Sequence, residues 1–118
     1  MRYVALLPMP RITSFDQLVE YMRSKPTHLL GEPSVFLLRA FMSGFWYSEH
    51  CHELTENEQF LHFDFARFQR WLTPRFNPDG HMIDTFEMAL TEAGSEADGF
   101  YLWFKWLDEY RKEQRDAT

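Results

Sequence analysis

A chain of 118 residues, 45% hydrophobic and 25% charged, has ordinary globular composition and enough length for one core that buries roughly two-thirds of its unfolded surface. That balance excludes an intrinsically disordered chain, and a net charge of −6 opposes nucleic-acid binding, which draws its affinity from Lys and Arg on phosphates. The single cysteine, Cys51, cannot close a disulfide within the chain, so a stapled secreted scaffold is excluded and a reducing, cytoplasmic setting is expected.

In chain order, the apolar run from Tyr3 to Leu7 spans only five residues before Pro8 and Pro10. It is too short for a signal-peptide core or a membrane span, so neither export nor anchoring is expected, and at most it forms a short strand. Ser14 and Gln17 then have capping-box spacing, and Phe15, Leu18, Val19 and Met22 recur on one helical face until Pro26. A turn with Gly31 and Pro33 leads to Ser34, a good N-cap for a second helix from about Val35 to Cys51. Leu37, Leu38, Phe41 and Phe45 form its expected inner stripe, with Phe36, Trp46 and Tyr47 off it, and the whole helix reads as largely buried. Gly44 costs about 1 kcal/mol inside a helix relative to Ala, which points to close helix packing or a local irregularity.

Leu54 to His62 is polar and acidic and reads as a loop. Asp64 is the next N-cap, flanked by a hydrophobic staple of Phe63 and Phe68, and a third helix carries Phe65, Phe68, Trp71 and Leu72 until Pro74 ends or kinks it. A fourth helix is expected over about His81 to Ala93, with Ile83, Phe86 and Leu90 inward and Gly94 as its stop. Ser95 opens a fifth, in which Phe100, Trp103, Phe104 and Leu107 form one stripe while Leu102 and Trp106 lie away from it. The pattern implies an all-α fold: one domain over residues 1–118, a compact antiparallel bundle of about five helices. Its expected core is Leu18, Leu38, Phe41, Phe68, Trp71, Phe86, Leu90, Phe100, Phe104 and Leu107.

Twelve Phe, five Tyr and four Trp are more rings than a core of this size easily hides. They make either a Phe-rich core with snorkelling Tyr and Trp or a recognition surface, since interfaces favour Tyr and Trp. Charge is segregated too. No Lys or Arg lies between Ala40 and Ala66, where Glu49, Glu53, Glu56, Glu58 and Asp64 fall, or between Phe76 and Phe104, where Asp79, Asp84, Glu87, Glu92, Glu96 and Asp98 fall. Such stretches are either solvated helix faces or an acidic patch for a basic partner.

Catalytic signatures do not emerge. His50, Cys51, His52 and Glu53 are the one cluster of metal-ligand types, but neighbours on a helix point about 100° apart and do not converge on one ion. Neither metal nor cofactor is expected, and no nucleophile elbow or glycine-rich phosphate loop occurs. The run Met22-Arg23-Ser24-Lys25-Pro26 with Leu30-Gly31 resembles a segment near the ATP site of type II topoisomerase ATPase subunits. The acidic residue and Asn that family needs on the next helix are replaced by Ser43-Gly44-Phe45-Trp46-Tyr47, and its Asp-x-Gly-x-Gly loop is missing, so ATP binding is not expected.

A wider resemblance covers Leu18 to Phe45, the segment Phe68-x-x-Trp71-Leu72-x-x-Arg75-Phe76-Asn77, and the run Glu96 to Tyr110. Together these are similar to a group of small uncharacterised bacterial helical proteins, some of them suspected immunity proteins of secreted-toxin systems. The resemblance implies a helical fold and a non-enzymatic, toxin-neutralising role with a protein partner, and no nucleic acid or membrane. The expected contact surface combines the acids Glu53, Glu56, Glu58, Asp79, Asp84 and Glu87 with exposed aromatic anchors at Trp46, Tyr47 and Trp106. A nuclease toxin, with its basic face, is the narrower expectation. The alternatives are a structural subunit that buries its excess rings in a homo-oligomer and a small enzyme with an unrecognised site.

Overall fold

The computed structural model describes residues 11–55 and 63–117, and among them it is all helical: α1 (Phe15–Ser24), α2 (Pro26–Leu29), α3 (Val35–Cys51), α4 (Phe65–Phe76), α5 (Thr85–Ala93) and α6 (Glu96–Asp116). The expected N-terminal strand lies outside the described residues. Local chemistry explains most helix starts. The side chains of Ser14, Ser34, Asp64, Asp84 and Ser95 each accept from the backbone N–H three residues on, satisfying a donor that the first turn leaves orphaned. Gln17 reaches back one residue beyond the cap, where its Oε1 accepts from Thr13 N at 2.9 Å. Gly94, at φ 87°, closes α5 in the left-handed conformation that glycine adopts without a Cβ penalty.

Three boundaries differ from expectation. Pro26 does not simply stop α1; it starts the extra turn α2, because a proline at the first helical position gives up an N–H that is orphaned anyway. Pro74 is carried inside α4, two residues before its end, where only the last turn has to absorb the missing donor. The fourth predicted helix begins at Thr85 rather than near His81. Asn77 is the cause: its amide donates to His81 O at 2.8 Å and accepts from His81 N at 3.1 Å, which ties the 77–81 loop into a closed turn and leaves Asp84 as the cap.

The long helix α6 is the axis of the fold and packs against α5, α3 and α4. That position explains why it is apolar around its girth. Phe100, Trp103, Phe104, Trp106, Leu107 and Tyr110 are all buried. Trp103 stacks on Phe86 of α5 at 5.1 Å, and Trp106 stacks on Phe76 of α4 at 4.2 Å. The close approach of α5 and α6 falls at Gly99, where a Cβ would lie 3.3 Å from the Leu90 backbone and from Val35 Cγ1. Gly44 has no such neighbour, and α3 runs through it unbroken, so its helix cost serves no packing among the described residues.

Ion pairs fasten α1 to α6 from the outside. Arg23 makes a two-pronged contact to Asp108 at 2.8 and 2.9 Å, and Arg111 meets Asp16 at 2.7 Å. Of the expected core, Leu18, Leu38, Phe68, Phe86, Phe100, Phe104 and Leu107 are buried, and Phe41, Trp71 and Leu90 are half-buried against it. Val19, Met22, Val35, Leu72, Met88 and Ala89 are among the further residues that join it.

Candidate functional site

Helix α3 is not largely buried. Its inward stripe is Val35, Leu38, Met42 and Glu49, and the residues left open to solvent include Phe36 (42% exposed), Leu37, Trp46 (58%) and Tyr47 (62%). Leu37, expected inside, therefore faces out. The helix is apolar on both sides, so the 3.6-residue period admits more than one inward stripe, and contact with α5 and α6 decides among them.

Beside this helix, toward α4 and α5, lies an open apolar groove of about 710 Å³. Met42, Trp46 and Tyr47 line it from α3, Phe65 from α4, and Thr85 and Phe86 from α5. Two features hold its shape. Phe86 is backed by the stacked indole of Trp103, whose N–H donates to the buried Thr85 hydroxyl at 2.9 Å. On the α3 side, the Trp46 and His50 rings stack offset, with centroids 5.6 Å apart and planes 8° from parallel. The polar groups at the edge are few: Ser43, Gln69 and Asp84.

The predicted contact residues divide. Trp46, Tyr47 and Asp84 meet at the groove. Trp106 does not join them, because only 2% of it is exposed and Phe76 covers it; as a surface anchor it is corrected to a core residue. Asp84 and Glu87 are not free acids either. Arg39 reaches between them, with Nε 2.9 Å from Asp84 and Nη1 3.5 Å from Glu87, and Asp84 also caps α5. Asp79 stands exposed on the loop before α5, 4.0 Å from His81 Nε2, and Glu53 is exposed just past α3 at φ 51°. Glu56 and Glu58 lie outside the described residues.

The histidine and cysteine cluster at the end of α3 has other engagements. His52 Nδ1 lies 2.6 Å from Ser48 O, His50 supports Trp46, and Cys51 is exposed. Among the described residues no group of three His, Cys, Asp or Glu side chains is placed to hold one metal ion, and no helix is long and apolar enough to cross a membrane.

The groove residues Met42, Phe65 and Phe86 were missed as site residues from sequence. Each sits at a core-like helical position, and nothing in periodicity separates a core ring from one at the edge of a groove. What the structure defines is thus an all-α protein whose third helix carries exposed aromatic side chains over an open apolar groove. Comparison with family models, with curated proteins and with solved structures finds no match to this chain.

Proposed function

We propose that the chain is a non-enzymatic protein-binding module whose groove between α3, α4 and α5 receives an apolar segment of a partner, with Trp46 as the anchor. The observation that carries this reading is the 58% exposure of Trp46 at the edge of an apolar groove. Exposed tryptophan beside such a groove is the residue type and setting in which binding energy concentrates. Its stacking on His50 holds the ring in place before binding, which reduces the ordering cost of association.

Within that class the specific role we propose is an immunity function, neutralising a toxin through the groove. The net charge of −6 supports long-range attraction of a basic partner, and Glu53 and Asp79 are the described acids that Arg39 leaves unengaged in the expected set. Asp84 and Glu87 contribute as a positioned edge rather than as free charge.

Co-expression with the product of an adjacent toxin-like gene tests both levels. Protection by the wild type, with Trp46→Ala weakening binding about 30-fold or more, is the expected result. Undiminished binding by a folded Trp46→Ala variant would remove the groove from the mechanism. Failure of the wild type to bind or protect would remove the toxin-neutralising role.

A further inference from the structure

Two Asp–Gly pairs occur in the chain, Asp79–Gly80 and Asp98–Gly99, and the fold treats them oppositely. An aspartyl carboxyl is open to attack by the backbone nitrogen of the next residue, and glycine hinders that attack least because it has no Cβ. Local freedom then decides whether the ring can close. In α6 it is held off. Gly99 is buried, its N–H donates to Ser95 O at 2.8 Å, and a Cβ there would lie 3.3 Å from the Leu90 backbone. Rotating the Asp98–Gly99 peptide out of the helix therefore breaks packed contacts as well as a hydrogen bond. Asp79 and Gly80 lie instead in the loop between α4 and α5, and both are exposed, the Asp79 side chain at 84%. Gly80 stands at φ 70°, and its N–H, which donates to Asn77 O at 3.0 Å, closes only a single exposed turn. Opening such a turn costs far less than unfolding part of a packed helix.

We propose that Asp79–Gly80 is a site of spontaneous covalent modification, converting through a cyclic imide to an isoaspartyl linkage, and that Asp98–Gly99 is not. The Gly80 nitrogen attacks Asp79 Cγ. An N–Cγ bond forms, the carboxyl C–OH bond breaks, and the hydroxyl leaves with the proton of the nitrogen as water. Water then opens the imide ring. Addition at Cγ breaks the new bond and restores aspartate, whereas addition at the Asp79 main-chain carbonyl breaks its bond to Gly80 N and leaves the chain running through Cβ and Cγ. Water is the only co-reactant, and a free carboxylate is regenerated on either route.

The consequence lies in the turn. The isoaspartyl form adds a methylene to the main chain between Asn77 and His81, and that stretch is clasped at its ends: Asn77 Nδ2 donates to His81 O at 2.8 Å, and Asn77 Oδ1 accepts from His81 N at 3.1 Å. Asn77 is 5% exposed, so a lengthened loop carries the partners of a buried amide out of reach. The same turn sets where α5 begins, and with it Thr85 and Phe86 on the groove wall. Modification at Asp79 thus loosens the connection of α4 to α5 from the solvent side, whatever the groove receives.

Incubating the full chain for weeks at neutral pH and body temperature tests both parts. Arg75 and Lys105 bound one tryptic peptide that carries both Asp–Gly pairs, and electron-transfer fragmentation distinguishes aspartyl from isoaspartyl at each. Isoaspartate should accumulate at residue 79 at least about tenfold faster than at residue 98. Asp79→Glu keeps the charge but would have to close a larger ring, so it should stay unmodified at that position. The aged wild type should show a melting transition several degrees below that of fresh protein, and aged Asp79→Glu should not. Isoaspartate at neither residue, or at both alike, overturns the site; isoaspartate at residue 79 with no fall in melting temperature relative to aged Asp79→Glu overturns its effect on the turn.

Discussion

The indole N–H of Trp103 donates to the hydroxyl of Thr85 at 2.9 Å, in the buried contact between the central helix and the first turn of α5. Both groups are out of water: Trp103 is fully buried and Thr85 is 3% exposed. The bond therefore fixes the rotation of α5, and with it Phe86 in the groove. Thr85→Val keeps the shape and removes the acceptor, leaving a buried donor unsatisfied. It should cost about 1–3 kcal/mol in urea unfolding, and Thr85→Ser, which restores an acceptor, should cost less. Equal stability of wild type and Thr85→Val would mean that the bond contributes nothing.

Two glycines should respond in opposite directions to the same change. Gly44→Ala adds a methyl to open space on an exposed helix face and gains helix propensity, so the fold should be stabilised by about 1 kcal/mol. Gly99→Ala pushes a Cβ to 3.3 Å from the Leu90 backbone, which cannot swing aside as a side chain could, and the overpacking should cost about 1–3 kcal/mol despite the better helix former. Thermal melts give the sign of each.

These two glycines also mark how far the sequence is legible. The helix starts at Ser14, Ser34, Asp64 and Ser95 and the stop at Gly94 were readable because capping is local: the residue that ends the helix carries the means of ending it. The start of α5 was not, since it depends on Asn77 closing a turn eight residues upstream. The facing of α3 was not either. Leu37 and Met42 are equivalent as apolar helical residues, and only the position of α5 and α6 makes one exposed and the other buried. The acids read as a free patch for the same reason, because Arg39 comes to Asp84 and Glu87 across the fold, from a helix distant in sequence.

Asp84 holds two roles that substitution separates. As an N-cap it accepts from Glu87 N at 2.9 Å, and as an ion it pairs with Arg39. Asp84→Asn keeps a good cap and loses the charge; the pair is partly exposed, so the cost should be at most about 1 kcal/mol and should shrink in high salt. Asp84→Ala loses both and should cost about 1–2 kcal/mol, with the excess over Asp84→Asn independent of salt. If Asp84→Asn is as damaging as Asp84→Ala, the ion pair rather than the cap holds the start of α5.

The four tryptophans should differ sharply in their access to a charged quencher. Trp103 and Trp106 are buried, Trp71 is half-buried beneath the Arg75 guanidinium at 4.2 Å, and Trp46 is 58% exposed. Iodide, an anion too polar to enter the core, should therefore quench mainly Trp46 emission. Trp46→Phe should remove most of the iodide-accessible fraction while leaving the melting temperature within a few degrees, because the ring is not part of the core. Trp106→Phe should do the reverse. It leaves the accessible fraction unchanged but opens space against Phe76 in the packed contact of α4 and α6, with a loss of about 1–3 kcal/mol. An accessible fraction that falls with Trp106→Phe and not with Trp46→Phe would reverse the assignment of surface and core, and would take the anchor of the groove with it.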